Sequence, residues 1–289
     1  MDEIIVVAGP TASGKTAFAI REALKSGAEI VSADSVQVYR HMDIGTAKPT
    51  PEERKCVRHH MIDVTDPNER FSVADYQRMA NECIDEIASR GKGVIVVGGT
   101  GLYISALIYN IKYPDFAVDH NYREKLIREA DSGGLENLHK TLAQIDPAAA
   151  GKIHANDKKR VIRALEVYHA TGRTISEHER VSRATPPSRR FKLIGLDVPR
   201  DELYHRIDAR VDAMFAAGLA DEARSLFERY GAKGALLSAI GYKELLPYYN
   251  GECTFDEALQ KIKMETRRYA KRQLTWFRNV AGITWINNI

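Results

Sequence analysis

Residues 9–16 read GPTASGKT, an instance of the pattern G-x-x-x-x-G-K-[ST]. The apolar run Ile4–Ala8 before it reads as a buried strand, and Ala17–Lys25 after it as a helix. A glycine-rich turn between a strand and a helix points its backbone N–H groups inward around phosphate oxygens. The helix N-terminus adds its positive end. Within such a loop Gly9, Pro10, Thr11, Ala12, Ser13 and Gly14 form the cradle. Lys15 supplies a full charge, and Thr16 offers a hydroxyl to Mg²⁺. A glycine-rich turn that binds nothing is the plainer reading, and the strand–loop–helix context argues against it.

Outward from the loop, short apolar runs alternate with helical patterns. Glu29–Ala33 reads as a second strand ending at Asp34-Ser35, and Ser72–Arg90 as a helix with Ser72 as N-cap. Val94–Val97 reads as a third strand closed by Gly98-Gly99, and Phe191–Val198 as a further one. The fold class is therefore α/β: a P-loop NTPase-like parallel sheet core, with ligands expected at the carboxyl ends of the strands.

From about Phe116 to Arg190 the pattern is helical throughout. Tyr113-Pro114-Asp115 opens this segment, and the run Ala184–Ser188, with Pro186 and Pro187, closes it. The expected division is a catalytic core, 1–116 plus 190–289, and a helical insertion subdomain, 117–189. Residues 119–190 hold 14 Lys/Arg against 10 Asp/Glu and five of the nine His, whereas the whole chain is only +3. Positive charge is thus concentrated in the insertion. Further on, Asp201–Tyr230 is helical with a break near Gly218. Thr254 and Glu257 form a capping box for a long helix to about Asn279. Lys261–Arg278 carries seven Lys/Arg and one acid, Glu265. Lys261, Arg268 and Arg272 share one face, and Arg267, Lys271 and Arg278 an adjacent one. So one-signed a surface suits RNA phosphates better than a merely solvated face. Ile262, Tyr269 and Trp276 lie on another stripe, which reads as core.

Length and composition bound the rest. The chain has 289 residues, 44% hydrophobic and 28% charged, which fits an ordinary globular protein. Cys56, Cys83 and Cys253 are scattered, with no C-x-x-C, so neither a disulfide framework nor a zinc module is indicated. No run approaches the ~18 apolar residues of a membrane span, and no signal peptide is evident. A cytoplasmic protein is expected, and a monomer is adequate at this length.

Several polar positions stand out. Asp34, at a strand end beside the loop, suits a metal ligand, a general base or a turn residue. Thr100 lies in a second close-approach turn. The third strand ends without the Asp that ordinary P-loop NTPases use for Mg²⁺, which speaks against a simple ATPase or kinase. His59-His60 lacks nearby ligands at metal spacing and reads as structural. Asp63 and Asp66 read as turn or capping residues.

The stretches GPTASGKT (9–16), DSVQVYRHMDIGTAKP (34–49), HHMIDVTDPNERFSVADY (59–76), VVGGTGLYISAL (96–107), RVIRALEV (160–167), SAIGYKEL (238–245) and TRRYAKRQLTWFR (266–278) closely resemble the tRNA dimethylallyltransferases, end to end and in order. The resemblance implies transfer of a five-carbon group from dimethylallyl diphosphate to N6 of the adenosine 3′-adjacent to the anticodon (A37) in tRNA. It implies that the P-loop holds the isoprenoid diphosphate with Mg²⁺, and that the helical insertion engages tRNA. By the same resemblance Asp34 is the base, Thr100 borders the reaction channel, and Arg210, rather than Arg206, clamps the diphosphate. Ser35, Val36 and Gln37 help hold the flipped adenine. Lys159, Arg160, Val161, Ile162 and Arg163, with Ser238, Gly241, Tyr242 and Lys243, match tRNA-contact stretches, and Arg123 is a further candidate. Three rivals remain: a P-loop kinase of a nucleotide or small metabolite, isopentenyl transfer to free AMP, and a non-catalytic RNA-binding module. The last leaves the loop and Asp34 without a role.

Overall fold

The computed structural model describes residues 3–113, 119–184, 187 and 189–287. Of the expected insertion edges, Pro114, Asp115, Phe116, Thr185, Pro186 and Ser188 lie outside the described residues, as does the boundary at 117. The chain divides into two compact units, Met1–Ile108 with Arg189–Ile289, and Tyr109–Ser188.

The first unit is built on a six-stranded, all-parallel sheet. Its strands are β1 (Ile4–Ala8), β2 (Glu29–Ser32), β3 (His59–His60), β4 (Val94–Gly98), β5 (Phe191–Asp197) and β6 (Ile283–Asn287), in the order β3-β2-β4-β1-β5-β6. Successive residues of β1 fall in different cores. Ile4, Val6 and Ala8 pack in one cluster and Val7 in another, so the sheet is covered on both faces, as a continuous apolar run requires. One face packs on α3 (Val73–Ser89) and α4 (Gly101–Ile108), the other on α1 (Lys15–Ser26). The chain runs outward from β1 to β2 and β3, returns to β4, and then crosses to β5 on the other side of β1. This reversal opens a crevice at the carboxyl end of β1, where the loop 9–16 lies.

The expected helices form, with their caps. Ser72 and Asp75 close a capping box on α3, and Thr254 and Glu257 close one on α13 (Phe255–Arg278). The expected break near Gly218 separates α10 (Arg200–Ala216) from α11 (Leu219–Tyr230), with Gly218 at φ 98°. Two short helices, α2 (Pro51–Cys56) and α12 (Leu246–Tyr249), and a 3₁₀ turn, Gly234–Leu237, complete this unit. The edge strands β3 and β6 were not foreseen. His59–His60 is too short for a pattern, and in Ile283–Asn287 no residue is buried and the exposure does not alternate. Both histidines make hydrogen bonds within the fold. His59 Nδ1 is 2.7 Å from the Val57 carbonyl, and His60 Nε2 is 2.7 Å from Glu29 Oε2. Glu29 is buried, and its carboxyl is held well below the usual range chiefly by Arg90, with Lys92 and His60 adding to the effect.

In the second unit α5 (His120–Glu129) runs through a π turn at Ala130–Gly134 into α6 (Leu135–Ile145). Then follow α7 (Pro147–Ala150), α8 (Lys158–Thr171) and α9 (Ile175–Ala184). Leu126, Leu138, Leu142, Val161, Ile162 and Leu165 form its core. Buried Asp146 accepts from Ala149 N and Ser176 N, both at 3.0 Å, and ties α7 to the start of α9.

At Gly98 the backbones of β4 and β2 meet so closely that a Cβ would lie 2.1 Å from the Ala33 carbonyl oxygen. Gly98→Ala should therefore destabilise the protein by roughly 1–3 kcal/mol or more. Thermal unfolding should show a Tm several degrees lower, and an unchanged Tm would contradict this close approach.

Candidate active site

The loop 9–16 has the geometry its glycines predict. A Cβ at Gly9 would meet the Leu196 carbonyl oxygen at 3.0 Å, and Gly14, at φ 83°, turns the chain into α1. Lys15 Nζ donates to the Pro10 carbonyl at 2.5 Å and so folds back over the loop. The loop is fixed from outside by a residue the sequence reading passed over. Gln273, buried on α13, accepts from Thr11 N at 2.8 Å and donates to the Gly99 carbonyl at 2.8 Å. One side chain thus joins the loop after β1 to the turn after β4. The signal for it was a lone Gln on a buried helical stripe.

Asp34 follows β2. Its Oδ1 accepts from Val36 N at 2.9 Å and from Gln37 N at 3.3 Å, an Asx turn that fixes the carboxylate. Thr100 braces this turn across the crevice. Its N–H donates to the Ala33 carbonyl at 3.1 Å, and its Oγ1 accepts from Ser35 N at 2.8 Å. The Gln37 amide is committed to the protein: Nε2 donates to the Thr46 and Ala47 carbonyls, and Oε1 accepts from the Ser32 hydroxyl at 3.0 Å.

One cavity of about 750 Å³ is lined among others by Thr11, Ala12, Gly14, Lys15 and Thr16 of the loop, Asp34, Arg210 and Tyr269; Gly9, Pro10, Ser13 and Thr100 stand behind its wall. Arg210 comes from α10, whereas Arg206 bonds Glu202 at 2.7 Å. Tyr269 corrects the expectation that it is mere core. Its phenol faces Thr100 and Gln273, and burial, reinforced by the Asp34 charge, pushes it up to about 12. It therefore keeps its proton and remains a donor at neutral pH. Burial pushes the Lys15 ammonium down to about 7, with the Arg210 charge adding to the effect and Asp34 opposing it. Burial also lowers Arg210, against the pull of Asp34. Two half-buried basic side chains, Lys15 at the N-terminus of α1 and Arg210 on α10, share the cavity with one carboxylate. Such a site favours a multiply charged anion.

The residues also fit a hard divalent ion held chiefly by its substrate. Thr16 lines the cavity, and no group of three or more His, Cys, Asp or Glu suited to a metal occurs among the described residues. Magnesium commonly takes few protein oxygens and completes its shell with phosphates and water.

The remaining expected residues divide. Ser35, Val36, Gln37, Ser238, Gly241 and Lys243 line the same cavity. Tyr242 does not. It is fully buried and donates to Glu222 at 2.6 Å. In the second unit Lys159, Arg160 and Arg163 are exposed on α8. Val161 and Ile162, on the opposite face, are packed in the core and present no side chain to RNA. Arg123 is bonded through NH1 to both oxygens of buried Glu166 at 3.0 Å. On α13, Arg267 and Lys263 pair with Asp208 and Asp212 of α10, so these two cations brace helices. Arg268 and Lys261 share Glu265. Arg272 lies 5.8 Å from the Tyr269 ring centroid and lines the cavity.

Fold and site together define a P-loop enzyme, with a basic loop and a carboxylate-bearing turn facing one cavity. A family model described as IPP transferase matches residues 37–280, and the chain belongs to this family. It is 51% identical over 288 residues to the tRNA dimethylallyltransferase of Acetivibrio thermocellus, covering 99% of this chain and 92% of that one. It is 47% identical to that of Halalkalibacterium halodurans, covering 99% and 91%. Among solved structures, the full-length tRNA isopentenylpyrophosphate transferase of Bacillus halodurans is similar at TM-score 0.74 and 45% identity, covering 100% and 90%. A eukaryotic dimethylallyltransferase acting on tRNA is similar at TM-score 0.84 and 30% identity, covering 100% of this chain and 74% of that one.

Above about pH 7 free Lys15 is mostly neutral, and a bound anion raises its pKa. Diphosphate binding at pH 8 should therefore draw in a proton, and affinity should fall as pH rises above about 7. Calorimetry in buffers of different ionisation enthalpy should show greater proton uptake for the wild type than for Lys15→Met. Equal uptake would contradict the assignment. The same shift bears on stability. Between about 7 and 10.5 the unfolded chain holds the Lys15 proton and the folded one does not, so this group's contribution to stability rises with pH there.

Proposed function

We propose that the protein transfers the dimethylallyl group of dimethylallyl diphosphate to N6 of A37 in tRNA, releasing diphosphate. The observation that carries this reading is the placement of Lys15 and Arg210 in one cavity with Asp34. The adenine amine is a poor nucleophile because its lone pair is delocalised into the ring. As the N6–C bond forms, Asp34 takes the N6 proton. A base in hydrogen-bond reach contributes roughly 10²–10⁴-fold. The allylic C–O bond breaks with its electron pair passing to the diphosphate. Lys15, Arg210 and the loop N–H groups stabilise that charge. A Mg²⁺ at Thr16, held largely by the diphosphate, would neutralise part of the same charge. Thr100 and Tyr269 keep the carboxylate turn in register with the loop. Two substrates filling the cavity would limit hydrolysis of the reactive allyl group, and the target base must leave its stack to enter it.

Two observations set this reading above its rivals. The turn after β4 is Gly98-Gly99-Thr100, with no acid for a kinase-type metal site. A helical unit presenting Lys159, Arg160 and Arg163 to solvent has no use if the acceptor is free AMP. The reaction belongs in the reducing cytosol where tRNA is matured.

With Mg²⁺, dimethylallyl diphosphate and unmodified tRNA, mass spectrometry of digested nucleosides should show one added five-carbon unit on the tRNA adenosine and none on AMP supplied in parallel. Gain on AMP alone, or ATP consumption with no gain, would overturn the reading. Asp34→Ala should lower kcat by roughly 10²–10⁴-fold, and wild-type turnover in this variant would remove the base. Affinity for tRNA should fall steeply with salt. A flat dependence would exclude phosphate contacts.

A further inference from the structure

The mechanism above makes no use of Glu222, yet this carboxylate has one of the densest sets of donors in the molecule. Oε2 accepts from Asp43 N at 3.0 Å and Ile44 N at 2.8 Å. Oε1 accepts from Gly45 N at 3.1 Å and from the Tyr242 hydroxyl at 2.6 Å. Three successive backbone N–H groups converging on one point form an anion nest. Here the anion is supplied from within the chain, by the first turn of α11. The fit leaves no slack: a Cβ at Gly45 would lie 2.6 Å from the Tyr242 ring.

The nest belongs to the segment 43–47, whose Gly45, Thr46 and Ala47 line the reaction cavity. The Thr46 and Ala47 carbonyls in turn accept from Gln37 Nε2 at 3.3 and 3.2 Å. Gln37 N is bonded to Asp34 Oδ1. A continuous chain of contacts therefore runs from Glu222 through the segment 43–47 and Gln37 to the catalytic carboxylate. The phosphate loop lies outside this chain, being anchored separately by Gln273.

We infer that Glu222, with Tyr242, is a positioning residue for the acceptor wall of the cavity: it fixes the segment 43–47, and through Gln37 the Asp34 turn, against which the adenine is received. This rests on the function proposed above. Glu222→Gln keeps the shape but turns an N–H₂ toward N–H donors, so at least one backbone N–H loses its acceptor. The segment should then shift while the diphosphate site stays in place.

The test compares wild type, Glu222→Gln and Tyr242→Phe in the tRNA transfer assay, with separate titration of inorganic diphosphate. For Glu222→Gln, kcat/KM for tRNA should fall by on the order of ten- to a hundredfold. The Kd for diphosphate should stay within about twofold, because Lys15, Arg210 and Gln273 are untouched. Tyr242→Phe, which removes only a hydroxyl, should show the same split at smaller size. Unchanged kcat/KM for tRNA in both variants would overturn the inference. So would a parallel loss of diphosphate affinity and tRNA turnover, the mark of general misfolding. Absence of transfer by the wild type itself would instead overturn the reading of the function.

Discussion

Two half-buried basic side chains, Lys15 and Arg210, sharing a single cavity are the constraint on which the rest of the site depends. Lys15 and Arg210 disfavour each other's charge, and burial disfavours both. Asp34 compensates only part of this. A bound polyanion would relieve the imbalance, which is why the cavity suits the diphosphate of the function proposed above. The proposed base is a single carboxylate, Asp34. It is pinned by the N–H groups of its own turn and need not move when the anion binds.

Holding such charges in register takes contacts between parts of the chain that are far apart in sequence. Gln273 spans 262 residues to reach Thr11 and 174 to reach Gly99. Arg267 and Lys263 fasten α13 to α10, the helix that carries Arg210. The parallel sheet supplies the strand ends, and α13 locks the loops on those ends together. Part of the positive charge along α13 therefore serves the architecture of the site, and only the remainder is left for RNA.

This division also marks how far the sequence could be read. The phosphate loop was legible because its chemistry is local: a strand, eight residues and a helix carry the whole arrangement. Asp34 and Thr100 were legible as strand-end residues, but their mutual bracing was not. The helical insertion, the capping boxes at Ser72 and Thr254, and the break at Gly218 were legible from periodicity and turn chemistry. Strand order was not, since pairing of β6 with β5 depends on partners about ninety residues apart. Nor were Gln273, Tyr269 and Glu222, whose roles lie in contacts that no local pattern encodes. Val161, Ile162 and Tyr242 show the converse. A stretch that resembles a contact motif also contains the residues that pack it.

On the proposed function, the leaving diphosphate and the acceptor base occupy distinct walls of one cavity. The most direct measurement is inhibition of prenyl transfer by inorganic diphosphate, with each substrate varied in turn. Diphosphate should compete with dimethylallyl diphosphate, and should not compete with tRNA when the isoprenoid substrate is held near saturation. Competition with tRNA under that condition, or none with dimethylallyl diphosphate, would contradict that placement.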